Sequence, residues 1–188
     1  MDTSVRQLRE ADRPAAATLL DGLVGPGFWS FDGADAELSF VAVTGGRMAG
    51  VLLARLAPAG DPDAQLALGS SAEQAAAGGD LTLHVRDLAV SPHARRGGVA
   101  SRLLARAEAE AYALGARTAF AFGWLPAGRP EPDAVPFYAA AGYTPGADIA
   151  GFFARGSIES GARCPYCGEP PCRCAVRPFV KRLEPDAD

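Results

Sequence analysis

All four cysteines of the 188-residue chain lie within one short segment near its C-terminus, CPYCGEPPCRC, residues 164–174. The spacing C-x-x-C-x-x-x-x-C-x-C would let Cys164, Cys167, Cys172 and Cys174 close a tetrahedral thiolate shell around zinc or a similar soft metal ion. Four thiolates leave no open position for water, so the predicted site is structural rather than catalytic. Free thiols and redox pairing are the alternatives that the spacing leaves open.

A second candidate site is the segment SPHARRGGVAS, residues 91–101, which lies between a strand pattern ending at Val90 and a helical pattern. The first turn of a helix has backbone N–H groups without intrahelical partners, and glycines let an anion approach the main chain closely. Arg95 and Arg96 add positive charge and forked donors. The segment therefore suits a phosphate group, and it equally fits a solvated helix start. It is neither a Walker loop nor a dinucleotide fingerprint, because Arg95 and Ala100 stand where the fingerprint needs glycine and no Gly-Lys-Ser/Thr follows.

The elements around these sites begin with a strand, a helix and a hairpin. SVRQLREAD predicts the first strand, and we expect Asp12 to cap a helix through RPAAATLLDGLV with Pro14 in its first turn. ELSFVAVT and MAGVLLARLAP, joined by GGR, predict a β-hairpin. Residues 57–80 have no clear period, so we expect a long loop or a helix such as SSAEQAAA there, without chemistry.

The middle of the chain predicts a right-handed βαβ crossover. LTLHVRDLAVSP is a strand pattern, residues 97–116 have the apolar spacing of a helix with one buried face, and RTAFAF is typical of a buried parallel strand. Further on, DAVPFYAAAGY predicts a short helix, and IAGFFA and AVRPFVKRL predict the last two strands. The predicted fold class is α/β, with the cysteine loop between the last two strands.

Length, charge and composition narrow the classes of function. A chain of 188 residues with 48% hydrophobic and 21% charged residues can bury a core of its own. The net charge of −4 disfavours a nucleic-acid-binding protein. The N-terminus lacks the apolar run of a secretory signal, and no stretch approaches the ~20 apolar residues that span a bilayer. We therefore expect a cytoplasmic protein without a membrane partner.

The stretch RRGGVA resembles the Gln/Arg-x-x-Gly-x-Gly/Ala signature of the GNAT superfamily of N-acetyltransferases, with Arg95, Gly98 and Ala100 on its fixed positions. The strand LAVSP before it, the helix and strand after it, and FYAAAGY further on strengthen this resemblance, which covers roughly residues 4–156 and resumes at VRPFVKRL. It implies the GNAT fold, a mixed central β-sheet flanked by helices, as a single domain over residues 1–188. It also implies transfer of an acetyl group from acetyl-CoA to a primary amine of a small molecule or peptide.

The resemblance implies which residues bind acetyl-CoA. In this family the strand before the loop splays from its neighbour, so that the main chain of Leu88, Ala89 and Val90 would hold the pantetheine arm and the thioester carbonyl. Asp133 stands where relatives often carry an asparagine that contacts the cofactor arm. The residues that would hold the pyrophosphate are Arg95, Arg96, Gly97, Gly98, Val99, Ala100 and Ser101.

Acetyl transfer also needs a base for the amine and a proton for the leaving thiolate. Tyr138 lies where many GNAT enzymes carry a tyrosine acting as general acid, although a tyrosine on a short helix also fits a core aromatic. His84 and Asp87 are the candidates for the base, and side-chain alternation along a regular strand predicts that they cannot share one face. His84 aligns with the glutamate base of the histone-modifying branch, and its unperturbed pKa of about 6.5 suits the role. Either residue could instead be packed or at the surface.

The acceptor side is usually lined in this fold by the loop after the first helix, here GPGFWSFDGADAE. Phe28, Trp29 and Phe31 are its aromatic residues, and three acidic residues follow between positions 32 and 37. Aromatic rings with acids suit a cationic amine. The same composition also fits a hydrophobic flap with a solvated acidic rim.

In this fold the cysteine loop would be a zinc-knuckle insertion over residues 157–176, at the tip of the last hairpin. Metal binding would order a loop with few apolar residues, and would add local folding energy on the order of 10 kcal/mol. Because that hairpin often borders the acceptor site, we hypothesise that the rigid loop shapes substrate entry or docks a partner.

Two other hypotheses describe a protein that has the GNAT fold but does not catalyse acetyl transfer. One is a zinc-knuckle module that binds nucleic acid or protein, which the modest basic patch around the cysteines makes a minority case. The other is an acetyl-CoA sensor that keeps RRGGVA but lacks a working base. The sequence determines neither the acceptor nor the oligomeric state, for which a homodimer is one option.

Overall fold

A computed structural model describes residues 3–31, 38–58, 60–69, 80–130 and 134–185. A seven-stranded sheet forms its centre. The strands are β1 (Thr3–Gln7), β2 (Phe40–Thr44), β3 (Arg47–Pro58), β4 (Leu81–Val90), β5 (Thr118–Leu125), β6 (Thr144–Pro145) and β7 (Ala175–Arg182). Their order across the sheet is β1-β2-β3-β4-β5-β7-β6. The pair β4–β5 is parallel, and the other neighbours in the sheet are antiparallel.

Helices cover both faces of this sheet. They are α1 (Arg13–Leu23), α2 (Pro62–Leu68), α3 (Val99–Ala113), α4 (Val135–Ala140) and α5 (Ala154–Ser160). On β3, Leu52 packs in the cluster that contains α3, whereas its neighbours Val51 and Leu53 pack in the cluster that contains α1. Because successive side chains of a strand point to opposite faces, α1 and α3 lie on opposite sides of the sheet. The predicted mixed α/β fold is thereby confirmed.

Most of the predicted elements are present. The first strand, the hairpin β2–β3, the crossover β4–α3–β5, the short helix α4 and the last strand β7 all form where the sequence patterns place them. Of the apolar positions that the periodicity of α3 predicts to be buried, Leu103, Leu104, Ala107 and Ala111 are buried, whereas Leu114 at the C-cap is exposed. No helix in the described part of the chain is long and apolar enough to cross a membrane.

The predicted strand at IAGFFA is wrong. Ile149 forms an isolated bridge with Val176, after which the chain turns and enters α5. Gly151 has φ +67°, a left-handed conformation that interrupts extended structure. The cysteine segment still lies between β6 and β7 along the chain, but a helix precedes it.

Asp12 occupies the N-cap position of α1, but its carboxylate does not cap the helix. It accepts two hydrogen bonds from Arg6, of 2.6 and 2.8 Å, and one of 2.9 Å from the backbone N–H of Arg9. Pro14 at the second helical position has no N–H to offer, so the bidentate pair with Arg6 prevails. Asp12 therefore ties β1 to the start of α1.

The stretch between residues 57 and 80 contains α2, which starts earlier than the helix suggested at SSAEQAAA. Asp61 caps α2, because its carboxylate accepts hydrogen bonds from the backbone N–H groups of Asp63 and Ala64. Residues 70–79, where SSAEQAAA lies, are outside the described residues.

Candidate active site

A β-bulge at Arg86 determines where the side chains of β4 point. Leu53 of β3 pairs with Asp87, while the next residue, Ala54, pairs with Val85, so Arg86 is an extra residue in β4. An extra residue interrupts the alternation of side chains along a strand. His84 and Asp87 consequently line the same cavity. The expectation that they cannot share one face is wrong, because it assumed a regular strand.

The same bulge marks the point where β4 and β5 separate. The two strands pair from Thr82 with Thr118 up to Val85 with Ala121. Beyond that point β4 continues to Val90 paired with β3 alone, and β5 continues to Leu125 paired with β7 alone. Main-chain groups of residues 86–90 that point away from β3 therefore face a gap instead of a neighbouring strand. The predicted splay of this strand is confirmed.

A cavity of about 330 Å³ lies at this gap. Its described polar lining consists of Asp63, His84, Arg86, Asp87 and Tyr138. Its aromatic lining, besides Tyr138, consists of Phe28, Phe122, Trp124, Phe152 and Phe153. The cavity thus combines titratable groups at the diverging strands with an apolar wall.

His84 is buried and neutral. Its ring stacks on Phe120 at a centroid distance of 4.2 Å, and its Nδ1 lies 3.7 Å from the carboxylate of Asp63 without a hydrogen-bond partner. Burial, together with the charges of Arg55 and Arg86, lowers the pKa of His84 to about 3. An imidazole with such a pKa is a weak base, so the unperturbed value that favoured His84 in the sequence does not apply here.

The pKa values of Asp87 and Tyr138 are both raised, which leaves one group able to accept a proton and the other able to donate one. Burial raises the pKa of Asp87 to about 6, against a smaller opposing effect of Arg86. Burial, with a contribution from the charge of Asp87, raises the pKa of Tyr138 well above its ordinary value. Near neutral pH the cavity therefore holds an ionised carboxylate with some basicity and a protonated phenol. The Tyr138 ring is fixed by stacking on Phe179, at a centroid distance of 4.8 Å.

The arginine and glycine turn leads from the end of β4 into α3. Gly98 has φ +74° and Arg96 has φ +60°, so the chain passes through left-handed conformations just before Val99 starts the helix. Residues 95–98 are exposed, and the Nε of Arg95 donates to the carbonyl of Val90 at 3.3 Å. The backbone N–H groups of the first helical turn, residues 99–101, lie beside this exposed turn.

Gly50 allows α3 to start this close to the sheet. A Cβ at Gly50 would lie 2.9 Å from a side-chain carbon of Val99 and 3.1 Å from one of Leu103. The missing side chain therefore lets the first turn of α3 pack directly on β3. The residues predicted to bind acetyl-CoA, Leu88–Val90 and Arg95–Ser101, form one continuous path from the splayed strand into the helix. Asp133 lies outside the described residues.

The three aromatic residues predicted on the acceptor side are divided by the structure. Phe28 lines the cavity. Trp29 donates a hydrogen bond of 2.9 Å to Asp21 and packs with Phe31 in the α1 cluster, so these two residues do not line the cavity. The acidic positions between 32 and 37 lie outside the described residues.

Sequence reasoning missed several residues that line the cavity. Asp63 was placed in a stretch without chemistry, although the helix start DPDA contains the cap and proline signals that would have located it. Phe152 and Phe153 were assigned to a strand interior. Trp124 lies on β5 beyond the last residue that pairs with β4, where only the splay exposes it to the cavity.

The Sγ atoms of Cys164, Cys167, Cys172 and Cys174, the four-cysteine cluster, all lie within 4.8 Å of one another. Three of their separations are 3.6, 3.7 and 4.0 Å. Zinc–sulfur bonds of about 2.3 Å in a tetrahedron require sulfur separations of about 3.8 Å. The four-cysteine cluster therefore has the dimensions and the donor set of a structural zinc site.

Two of these sulfur atoms accept hydrogen bonds from backbone N–H groups. Tyr166 donates to Cys164 Sγ at 3.4 Å, and Arg173 donates to Cys167 Sγ at 3.3 Å. Such hydrogen bonds stabilise thiolates. Gly168, at φ +83°, exchanges two backbone hydrogen bonds with Cys164, which closes the tight CPYCG turn.

The four-cysteine cluster supports one wall of the cavity. Phe28, Trp124 and Phe153 pack against it, and these three side chains also line the cavity. The backbone N–H of Cys172 donates to Ser157 of α5 at 2.9 Å, which ties the cysteine segment to that helix.

Several solved structures that share this fold are N-acetyltransferases. The chain superimposes on the polyamine N-acetyltransferase of Drosophila melanogaster with a TM-score of 0.63 and 17% identity, covering 97% of this chain and 100% of the other. It superimposes on Arabidopsis thaliana NAA60 in complex with acetyl-CoA with a TM-score of 0.67 and 13% identity, covering 97% and 99%. For the ribosomal-protein-S18-alanine N-acetyltransferase of Escherichia coli the values are 0.59, 13%, 100% and 97%. At these identities the similarity shows the fold.

The sequence itself matches the model of the acetyltransferase (GNAT) family over residues 4–143. The chain therefore belongs to the GNAT family. A search among curated proteins gave no significant match.

Proposed function

We propose that the protein is an acetyl-CoA-dependent N-acetyltransferase that transfers the acetyl group directly to a primary amine. The observation that carries this proposal is the gap between β4 and β5, where Asp87 and Tyr138 line one cavity beside the part of β4 that no longer pairs with β5. The ionised carboxylate of Asp87 can accept a proton and the phenol of Tyr138 can donate one, and acetyl transfer needs both a base and an acid. Membership of the GNAT family supports acetyl-CoA as the donor.

The turn before α3 is proposed to bind the diphosphate of acetyl-CoA. It offers the backbone N–H groups of the first helical turn, the positive end of the helix dipole and the guanidinium groups of Arg95 and Arg96. Its exposure leaves room for a phosphate. From there the pantetheine arm would run along Leu88–Val90 into the gap and form hydrogen bonds with their main-chain groups.

Asp87 is proposed to remove the proton from the bound ammonium group, directly or through a water molecule. The neutral amine then attacks the thioester carbonyl, a C–N bond forms, and main-chain N–H groups of β4 stabilise the oxyanion. As the C–S bond breaks, Tyr138 donates a proton to the departing thiolate. The nitrogen loses two protons in total. The first passes through Asp87 to solvent, and the second, released after the C–N bond has formed, replaces the proton that Tyr138 gives to the thiolate, so the products are the amide, the free thiol of coenzyme A and one proton.

Two measurements test this proposal. Titration calorimetry of the purified protein with acetyl-CoA is expected to show one site per chain. Release of free coenzyme A thiol is then measured with polyamines, aminoglycosides, amino acids, peptides and aromatic amines. Failure to bind acetyl-CoA would contradict the proposal, and binding without thiol release from any amine would indicate a sensor instead of an enzyme.

We further propose that the four-cysteine cluster binds one zinc ion and is a structural insertion, residues 157–176, within a single GNAT domain. The sulfur separations and the N–H···S bonds support this assignment. Bound zinc would fix the four thiolates and thereby the segment that carries them. Metal analysis of the purified protein is expected to find one zinc per chain, and a metal-free protein with an intact cluster fold would contradict it.

A further inference from the structure

The wall of the cavity is a continuous series of aromatic rings. Ring centroids are 5.0 Å apart for Phe28 and Trp124, 5.0 Å for Trp124 and Phe153, and 5.0 Å for Phe153 and Phe152. Phe122 extends the series, 4.9 Å from Phe152. Five adjoining rings offer edges and faces to a flat apolar group rather than to an extended polar chain.

Charged residues of both signs line the cavity. Among the described lining residues the carboxylates are Asp63 and Asp87. Asp63 is paired with Arg55 at 3.4 Å, and Arg55 also pairs with Asp61 at 2.8 Å. Arg86 adds a positive charge to the lining. Because Asp61 and Asp63 share one guanidinium, Asp63 keeps part of its negative charge, and the charged lining is compatible with an acceptor that carries one or two cations.

Two polar atoms in the cavity wall need a partner that the protein does not supply. In the described part of the chain, the buried side-chain nitrogen and oxygen atoms without a hydrogen bond are His84 Nδ1 and Trp124 Nε1. Both side chains line this cavity. Leaving a buried donor unpaired is unfavourable, and a hydrogen-bonding group of a ligand would remove that cost.

From the aromatic wall and the two unpaired nitrogens we infer that the acceptor is a primary amine carried on an aromatic ring that also bears a hydrogen-bonding substituent such as a hydroxyl group. This inference rests on the proposed acetyltransferase function and names its substrate class. The ring packs against the aromatic wall, the amine lies at Asp87, and the ring substituent pairs with the nitrogen of His84 or Trp124.

The inference is tested by measuring kcat/KM for tyramine, phenethylamine, agmatine and spermidine at saturating acetyl-CoA. We expect tyramine to be the best of the four, with phenethylamine lower by about tenfold because it leaves the buried nitrogen unpaired. Agmatine and spermidine are expected to be lower by about 100-fold because neither carries a ring that packs against the aromatic wall.

Each failure has a distinct meaning. Turnover of agmatine or spermidine equal to that of tyramine would overturn the inference while leaving the acetyltransferase function intact. Equal kcat/KM for tyramine and phenethylamine would overturn the part about the ring substituent. Acetyl-CoA binding without turnover of either aromatic amine would also overturn the inference, whereas absence of acetyl-CoA binding would overturn the proposed function itself.

Two variants test whether the aromatic wall of the cavity contacts the acceptor. Phe152→Ala is expected to raise the KM for tyramine by about tenfold with little change in acetyl-CoA affinity, because it removes one ring of the series. Tyr112→Ala, which removes a half-buried ring on α3 that contacts Arg117 outside the cavity, is the control and is expected to leave that KM unchanged. An unchanged KM for tyramine in Phe152→Ala would contradict the proposed contact.

Discussion

His84 and Asp87 line one cavity, but burial shifts their pKa values in opposite directions, to about 3 for His84 and to about 6 for Asp87. Removal of water disfavours the charged form of each group, which is the cation for an imidazole and the anion for a carboxylic acid. Asp87 is therefore the residue of the two whose basicity is close to what proton removal at neutral pH requires.

The first prediction follows from that difference. Asp87→Asn is expected to lower kcat by a factor of about 100–1,000, because an amide of the same shape cannot accept the proton. His84→Gln is expected to change kcat by less than about tenfold, since a base with the lowered pKa of His84 contributes little. Steady-state thiol release measures both. A larger loss in His84→Gln than in Asp87→Asn would reverse the assignment.

The second prediction concerns pH. Since the base must be ionised, kcat/KM, which reports the free enzyme, should rise with pH and reach half its maximum near pH 6, the pKa of Asp87 in its setting beside Arg86 and Tyr138. Asp87→Asn should lose this rising limb. A profile of the parent enzyme that stays flat between pH 5 and 7 would argue against Asp87.

The third prediction concerns stability. The folded pKa of Asp87 is raised above 3.8, so the folded state keeps a proton that the unfolded chain has released. Ionised Asp87 thus destabilises the fold. As pH rises from about 4 to about 6, the free energy of unfolding falls by an amount on the order of 2–3 kcal/mol. Asp87→Asn should raise Tm at pH 7.5 by several degrees but not at pH 4. Thermal unfolding at both pH values measures this, and a lower Tm at pH 7.5 would contradict it.

The fourth prediction compares two neighbouring tyrosines. Tyr138→Phe keeps the ring that stacks on Phe179 but removes the proton donor, so kcat should fall by about 100-fold with unchanged acetyl-CoA affinity. Tyr143→Phe is the matched control, because its hydroxyl donates to Glu108 at 2.8 Å and its side chain does not line the cavity. It should cost about 1 kcal/mol of stability and leave kcat unchanged. Equal kcat values in the two variants would leave Tyr138 without a role as acid.

The sequence predicts those elements of the fold that depend on residues close together along the chain. The periodicity of α3, the glycines of the β2–β3 turn and the RRGGVA segment each depend on neighbouring residues, and the structure has those elements where expected. The shape of the cavity depends on the bulge at Arg86, which arises from the pairing of β4 with β3 and leaves no mark in the alternation of β4 itself. The same limit applies to Asp63 and Trp124, which approach the cavity only through tertiary packing.

The final prediction concerns the metal. The double variant Cys164→Ser with Cys167→Ser should lose zinc and raise the acceptor KM, because Phe28, Trp124 and Phe153 would lose the cluster on which they pack. Acetyl-CoA affinity should stay the same, since the turn at Arg95–Ser101 is built by β4 and α3.

Intrinsic fluorescence of Trp124 gives a readout of the double variant that is independent of activity. The measurement is made in a Trp29→Phe background, in which Trp124 is the one tryptophan. Ser160→Ala, on the exposed end of α5, is the control that should retain zinc. If the double variant loses zinc but acceptor turnover and fluorescence stay unchanged, the four-cysteine cluster does not support the acceptor wall.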